Sequence, residues 1–377
     1  MMKTNNSTTS KRKQLPEERI PVAAIILLGI ALPSFIIVIV ARNNVDFADF
    51  FNRHISSVVR AVLANITNPI PFSLAELLIV LIPVILVLLI FYAVRRKTKT
   101  WRSVISYTVT LLSAVSVIFS LFVLGYGVGY YVPTLDEKLA LDSEPVSAEE
   151  LRDTALWLSD EIKRLTSEDI YYGTDGASIM PYSLTEMNDK MMEAYGKLNE
   201  QYDFLQRLDS NIKPVMASVA MSYAHLTGVY TFFTGESNLN IDFPDYTLPY
   251  TAAHEFAHQR GIARENEANF VAFLACVASD DPYLQYSGYL NLYEYVINAL
   301  YSADREMYSE VRAQLPLRVT NEMRAYSAFY AKYRDSKAGK VNNAVNNTFL
   351  QANGATEGTK SYGMVVDLAV AYYKAQK

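Results

Sequence analysis

Residues 249–275 read PYTAAHEFAHQRGIARENEANFVAFLA, and this stretch predicts two helices joined by a tight turn. His254 and His258 are four residues apart, so in a helix they share one face and both imidazoles can reach one ion. Gly261 follows, and glycine readily adopts the positive φ that ends a helix. A second helix is then predicted to begin near Arg264. The pattern predicts a helical unit organised around a pair of histidines.

The residue after the first histidine, a glutamate, indicates that this pair can bind a catalytic metal. Glu255 is offset by one position, so it can reach a metal-bound water without becoming a ligand. This H-E-x-x-H arrangement is typical of zinc peptidases, in which the glutamate acts as the base and zinc lowers the pKa of the water. The alternative is a helix with two ordinary polar histidines. The chain has only four histidines, so a chance pairing around a glutamate is improbable, and we favour a Zn²⁺ site.

A third ligand must follow the turn, and two glutamates are available. Glu265 is the first residue that can reach back to the metal, and Asn269 lies one turn further on the same face. From there Asn269 can orient His254 or Glu265 by a hydrogen bond. Glu267 lies about 200° around the helix from Glu265, so it becomes the ligand only if the helix begins later. We expect Glu265 to bind the metal, and Glu267 is the alternative ligand.

A hydrolytic site also needs a group that stabilises the developing oxyanion. Tyr286 and Tyr289, in the sequence YSGYL, and His225 are candidates for this role or for substrate binding. Each of these residues is more often part of a core or of a surface.

Three apolar stretches are long enough to cross a bilayer, which takes about 20 residues; they are 20–41, 71–94 and 103–131. The first could instead be a cleaved signal peptide. Its apolar run is longer than the usual stretch of about 7–15 residues in such peptides, so we interpret it as an uncleaved anchor. The segment 45–68 is amphipathic and is expected to lie along the outer membrane face.

Charge predicts the orientation of these spans. Five basic residues lie in 1–19 and five more in 95–102, and short basic flanks remain in the cytoplasm. Three spans then place residues 133–377 outside the cytoplasm of a bacterial cell, in a multi-pass membrane protein. That part has 21 basic and 34 acidic side chains, a net charge of −13, which argues against nucleic acid as a partner. The single cysteine, Cys276, is expected in the core.

These observations divide the chain into a cytoplasmic tail (1–19), a three-span α-helical membrane region (20–132) and an extracytoplasmic zincin-like domain (133–377). The domain is predicted to be mainly α, with helices capped at Ser147 and Ser183 and a last helix over 363–375. Residues 228–243 are rich in β-forming residues. They predict either an edge strand that binds an extended peptide or a hairpin that covers the helices.

The chain resembles a bacterial membrane-protein family with an HExxH signature, the domain of unknown function 3810. The likeness rests on TGESNLN, LPYTAAHEFAHQRGIARENEANF, YSGYL and SYGMVVDL, and it implies a zinc-metallopeptidase-like protein. Glu265-x-x-Ala268-Asn269 also resembles the Glu-x-x-Ala-Asn of gluzincin peptidases, which implies that Glu265 binds zinc and Asn269 supports it. The gap after His258 is shorter than in gluzincins. The glycine spacing is similar to that of metzincins, whose third histidine would stand at Arg264.

Two functions therefore remain to be compared. The leading one is a membrane-anchored zinc metallopeptidase that cleaves peptide or protein substrates outside the cytoplasm, with Glu255 as the general base. The alternative is a non-catalytic envelope protein that binds a metal or another ligand.

Overall fold

The computed structural model describes residues 20–95, 100–142, 145–167, 170–353 and 364–377. The predicted cytoplasmic tail and residues 96–99 of the basic loop lie outside the described residues. Within them the chain is mainly helical and carries a small β element, as the sequence predicts.

The first part of the fold is a group of apolar helices. Its elements are α1 (Val22–Gly29), α2 (Ala31–Asn43), α3 (Val45–Phe51), a π-helical turn (Asn52–Ser56), α4 (Ser57–Thr67), α5 (Leu74–Arg95), α6 (Trp101–Gly125) and a 3-10 turn (Gly127–Tyr131). Three segments are long and apolar enough to cross a membrane, namely Val22–Asn43, Leu74–Phe91 and Trp101–Gly125. The number of such segments agrees with the prediction from sequence.

The third apolar helix is shorter than predicted. It was expected to extend to residue 131, but it ends at Gly125, and Tyr126 has a non-helical backbone (φ −142°, ψ −49°). The chain then turns against the C-terminal domain. A side chain at Gly129 would lie 3.0 Å from the Cβ of Ala263 and 3.2 Å from the carbonyl oxygen of Gly261. The glycines of this segment therefore allow it to pack closely beside the predicted metal site.

Serine side chains join α6 to the first two helices. The Ser116 hydroxyl donates to the carbonyl of Leu27 at 2.8 Å, and the Ser34 hydroxyl donates to Ser120 at 2.9 Å. Small hydroxyl residues allow close helix approach and satisfy their own polar groups in an apolar environment. Ser116 and Ser120 of α6 thus bond to the first two helices, whereas Thr110 and Ser113 bond to the backbone of α6 itself.

The amphipathic segment has two different faces. Val58, Val62 and Ile66 of α4 are exposed and form an apolar stripe, whereas Arg60 is buried against the rest of the protein. The Arg60 guanidinium donates to Asn52 Oδ1 at 2.8 Å, and Asn52 donates to the carbonyl of Gly261 at 3.1 Å. The polar face therefore binds the C-terminal domain and leaves the apolar face exposed.

The C-terminal domain contains the remaining helices. They are α7 (Leu135–Leu139), α8 (Ala148–Thr166), α9 (Leu184–Gln201), α10 (Ser218–Tyr223), α11 (Thr247–Gln259), α12 (Glu265–Ala278), α13 (Pro282–Ala303), α14 (Arg305–Ala313), α15 (Leu317–Ala331), α16 (Lys337–Ala352) and α17 (Val365–Ala375). Capping boxes at Ser147 and Ser183 begin α8 and α9, which confirms both predicted helix starts.

Helix α12 is the centre of the domain core. It packs against α9, α11, α13 and α17, and Cys276 on it is fully buried. A side chain at Gly288 of α13 would lie 2.5 Å from the Cβ of Cys276. Small residues on both helices therefore allow a close approach, and Cys276 is a core residue as expected.

The β structure of the described residues consists of two small sheets. The strands are β1 (Tyr171–Tyr172), β2 (Ser178–Ile179), β3 (Lys213–Pro214), β4 (Gly228–Thr231) and β5 (Glu236–Leu239). Strands β1 and β2 pair with each other, and the three-stranded sheet has the order β3-β5-β4, with β4 antiparallel to β5. The region 228–243 is therefore a hairpin that contacts α11, and β4 is an edge strand.

Candidate metal centre

The turn between α11 and α12 brings the predicted metal ligands together. Gly261 has φ +97° and follows the end of α11 directly. A side chain there would lie 2.6 Å from the Arg60 guanidinium, so both the backbone angle and the available space favour glycine. Helix α12 begins at Glu265, which confirms the predicted helix start near Arg264.

Three side chains converge at this turn. The Nε2 atoms of His254 and His258 lie 3.2 and 3.6 Å from Oε2 of Glu265, and one ligand atom from each residue lies within 4.8 Å of the others. A tetrahedral zinc site with bonds of about 2.1 Å separates its ligand atoms by about 3.4 Å. The donor set and its spacing therefore fit a divalent metal ion of this size.

The hydrogen bonds of His258 are made by Nδ1, which leaves Nε2 to bind a metal. Its Nδ1 lies 2.7 Å from the carbonyl oxygen of Ile262 and 3.0 Å from the hydroxyl of Tyr126. A carbonyl only accepts, so Nδ1 carries a proton, and Nε2 is the nitrogen that can bind a metal once its own proton is displaced. The Tyr126 hydroxyl donates to the carbonyl of Ala263 at 3.2 Å. Such contacts fix the orientation of a metal-binding imidazole.

Electrostatics couples the histidines to the glutamate. Burial by itself lowers the pKa of His258, but the charges of Glu265 and Glu255 outweigh it and raise the pKa to about 9. Burial likewise opposes ionisation of Glu265, but the two histidines hold the pKa of this carboxyl well below its usual range. The cluster therefore presents an ionised carboxylate to any cation that displaces the proton from His258.

Glu255 lies between the histidine helix and the edge strand. It is 4% exposed, and a side chain at Gly228 on β4 would lie 2.6 Å from its Oε1. The carboxylate accepts a hydrogen bond from the backbone N–H of Tyr230. Burial raises the pKa of Glu255, His254 and His258 oppose the increase, and Glu265 adds to it. This environment suits a carboxylate that must accept and release a proton.

Glu267, the alternative third ligand, makes its hydrogen bonds to a different set of residues. Glu267 Oε1 accepts hydrogen bonds from Arg264 at 2.7 Å and from the backbone N–H of Leu135 at 3.1 Å. Arg264 also donates to the carbonyls of Tyr130 and Val132. Glu267 therefore joins the start of α12 to the chain that leaves the apolar helices.

Asn269 is buried one turn after Glu265, and its side chain interacts with the hydroxyl of Tyr295. The Nδ1 of His254 is buried and without a partner. No hydrogen bond joins Asn269 to His254 or Glu265 among the described residues. The structure thus places Asn269 near the site without assigning its side chain a contact there.

The three residues predicted for oxyanion stabilisation or substrate binding make their described contacts outside the metal-ligand cluster. Tyr286 donates to Glu322, and Tyr289 packs 5.5 Å from the ring of Phe273. His225 has φ +58°, and its Nε2 lies 2.9 Å from the carbonyl of Tyr333. The contacts described for these three side chains do not include His254, His258 or Glu265.

Other tyrosines surround the cluster, and no motif in the sequence identifies them as part of it. The ring of Tyr126 lies 5.7 Å from that of Tyr130 and 5.6 Å from that of Tyr230. The buried hydroxyl of Tyr230 has no partner, whereas the buried hydroxyl of Tyr130 interacts with that of Tyr126. Burial first, and then the charge of Glu265, raises the pKa of Tyr130, whereas burial raises that of Tyr230 to about 12. The only sequence signal for Tyr126 and Tyr130 is the run GYGVGYY, which marks the end of an apolar stretch.

Comparison with known proteins identifies one relationship. The family described as "Protein of unknown function (DUF3810)" matches residues 51–370, which include α4, α5, α6 and the metal-ligand cluster. No curated protein and no solved structure matches the chain.

Proposed function

We propose that this chain, which belongs to the DUF3810 family, is a membrane-anchored zinc metallopeptidase that cleaves peptide bonds outside the cytoplasm. The observation that carries the proposal is the convergence of His254, His258 and Glu265, with Glu255 beside them. Two imidazoles and one carboxylate form the ligand set of several zinc peptidases, and they leave one coordination position open. We therefore assign a zincin-like role to the C-terminal domain.

The side chains of the cluster take separate roles in this proposal. His254, His258 and Glu265 would hold the metal, and Tyr126 keeps His258 in the required tautomer. When bound there, zinc would supply the Lewis acidity that activates water near neutral pH. Glu255 then accepts a proton from the attacking water and delivers it to the leaving amine. Its buried position against β4 excludes bulk water from this transfer.

The edge strand offers a place for an extended substrate. One side of β4 pairs with β5, and Gly228 on β4 contacts the carboxylate of Glu255. A peptide that adds to such an edge gains main-chain hydrogen bonds that do not depend on its sequence. This arrangement supports a peptide or protein substrate bound in an extended conformation beside Glu255.

The buried hydroxyls of Tyr130 and Tyr230 are our candidates for oxyanion stabilisation. Both are buried beside Tyr126. Their raised pKa values keep the hydroxyls protonated, and a protonated hydroxyl can donate to a developing negative charge. We prefer them to Tyr286, Tyr289 and His225, because the described contacts of those side chains lie elsewhere.

The location of the site follows from the apolar helices. We propose that all three cross the bacterial cell membrane, with the N-terminus in the cytoplasm. Basic residues precede the first helix and lie between the second and the third, and such basic segments remain in the cytoplasm. An odd number of spans then carries the domain to the outside.

The test is a cleavage assay with zinc-loaded, full-length protein in detergent and a broad set of peptides. We expect the wild type to cleave some of them, and Glu255→Gln to bind zinc and to lose cleavage. Glu193→Gln, at an exposed position on α9, serves as the matched control and should cleave normally. Wild-type cleavage by Glu255→Gln would contradict the mechanism. A zinc-bound wild type without any cleavage would favour the alternative, a non-catalytic metal-binding envelope protein.

A further inference from the structure

Two neighbouring segments of the C-terminal domain expose large apolar side chains. Met216 is 89% exposed, and Val219 and Tyr223 of α10 are exposed beside it. On α16, Val341 and Val345 are 64% and 62% exposed and lie four residues apart, on one face of the helix. We call these five side chains the α10–α16 surface. Exposed apolar groups on adjacent elements indicate a surface that binds a partner or a membrane.

Hydrogen bonds and ring contacts join the two helices into one unit. The Ser336 hydroxyl, which caps α16, donates to the carbonyl of Tyr223 at the end of α10. The ring of Tyr223 also lies 4.9 Å from that of Tyr333. The apolar side chains of α10 and α16 therefore belong to one continuous part of the domain.

Both ends of this unit attach to the domain-side ends of apolar helices. In the first turn of α5, the Glu76 carboxylate accepts hydrogen bonds from the backbone N–H groups of Met216 at 2.9 Å and Ala217 at 2.8 Å. At the far end of α16, the ring of Phe349 lies 5.8 Å from the ring of Phe122, near the end of α6. The α10–α16 surface therefore lies at the level where α5 begins and α6 ends.

Charge distinguishes this part of the domain from the rest. Residues 133–377 have a net charge of −13, whereas residues 332–352 contain four basic side chains and one acidic side chain. Those basic residues are Lys332, Arg334, Lys337 and Lys340, and all four are exposed. Apolar residues flanked by lysine and arginine are typical of helices that lie in the interface of an anionic bilayer.

We propose that the α10–α16 surface lies in the headgroup region of the bilayer and contacts lipid directly, as a membrane attachment additional to the three apolar helices. The occupant of the surface is lipid because the surface is continuous with the ends of α5 and α6. Its basic flank also matches the charge of anionic headgroups. The inference depends on membrane insertion of the apolar helices and is independent of peptidase activity.

The test measures the environment of fluorescent labels on single added cysteines. Full-length protein carrying Val219→Cys or Val345→Cys is labelled and reconstituted in phosphatidylethanolamine–phosphatidylglycerol vesicles. Val87→Cys on α5 is the lipid-exposed reference, and Ser302→Cys at the end of α13 is the water-exposed control. The native Cys276 is buried, and labelling of unmodified protein measures its background.

Two quenchers separate the possible environments. We expect a quencher attached near the headgroup end of the lipid chains to reduce emission at positions 219 and 345, as a quencher deeper in the chains does at position 87, and iodide in the buffer to act mainly at position 302. If either label responds like that at position 302, the proposal is wrong. If either label is shielded from both quenchers, a protein covers the surface, and the proposal is equally wrong. Neither result depends on cleavage activity. A negative quenching result would therefore not contradict the proposed peptidase function, which the cleavage assay tests separately.

Discussion

The hydroxyl oxygen of Tyr126 lies 3.0 Å from Nδ1 of His258. Tyr126 is the first residue after the third apolar helix, and His258 is a proposed metal ligand. The contact joins the predicted membrane region to the predicted peptidase domain across the boundary between residues 132 and 133. Arg264 reinforces it through the carbonyls of Tyr130 and Val132. Experiments on the metal site therefore require the full chain.

Removal of this hydroxyl should weaken metal binding without unfolding the protein. Tyr126→Phe keeps the ring but loses the oxygen beside Nδ1 of His258. Contacts of this kind typically contribute a factor of about 10–100 in metal affinity, so we expect at least about a tenfold increase in the Kd for zinc. Competition with a fluorescent chelator measures it. Tyr301→Phe, at an exposed position on α13, is the matched control, and equal affinity of both variants would show that Tyr126 does not support the site.

A half-buried carboxyl outside the metal cluster predicts a pH dependence of stability. The Tyr246 hydroxyl donates to Glu294 at 3.0 Å, and burial raises the pKa of Glu294 from 4.5 to about 7. The folded state keeps this proton up to about pH 7, whereas the unfolded state loses it near pH 4.5. The free energy of unfolding contributed by Glu294 therefore falls as pH rises across this window, by at most about 1.4 kcal/mol per pH unit.

Glu294→Gln removes that titration while keeping a group that can accept the Tyr246 hydrogen bond. We expect the Tm of the variant in detergent to decrease less than that of the wild type between pH 5 and pH 7, as measured by thermal unfolding. Parallel curves for the two proteins over this range would mean that Glu294 titrates normally in the folded state.

The proposed orientation can be tested with reporter fusions. Alkaline phosphatase folds actively only outside the cytoplasm, so a fusion after Tyr131 should be active. A fusion after Lys99, in the basic loop, should be inactive and acts as the control. The reverse pattern would place the domain in the cytoplasm and remove the extracytoplasmic function.

The sequence predicts the parts of this fold that depend on local pattern. The helix pair around Gly261 is local, because four-residue spacing and a turn glycine determine which side chains share a face. The convergence of His254, His258 and Glu265 follows from that short connection. The number of apolar helices follows in the same way from composition.

Contacts between distant segments were not predictable in this way. Tyr126 meets His258 across 132 residues of sequence, and Tyr286 meets Glu322 rather than the metal ligands. The predicted third helix is longer than the observed one, because GYGVGYY is apolar enough to continue a membrane span. Packing of Gly129 against Gly261 and Ala263 determines its true course.

We propose that Glu265 completes a metal site with His254 and His258, whereas Glu267 has a structural role. The most direct test is the zinc content of full-length wild type, Glu265→Ala and Glu267→Ala, purified in parallel and measured by mass spectrometry of the metal. Glu267→Ala is the matched control, and its folding is checked by thermal unfolding because it loses the hydrogen bonds to Arg264 and Leu135. We predict one zinc ion per chain in the wild type and in folded Glu267→Ala, and little zinc in Glu265→Ala. A zinc-free wild type, or full zinc in Glu265→Ala, would show that Glu265 does not complete a metal site with His254 and His258.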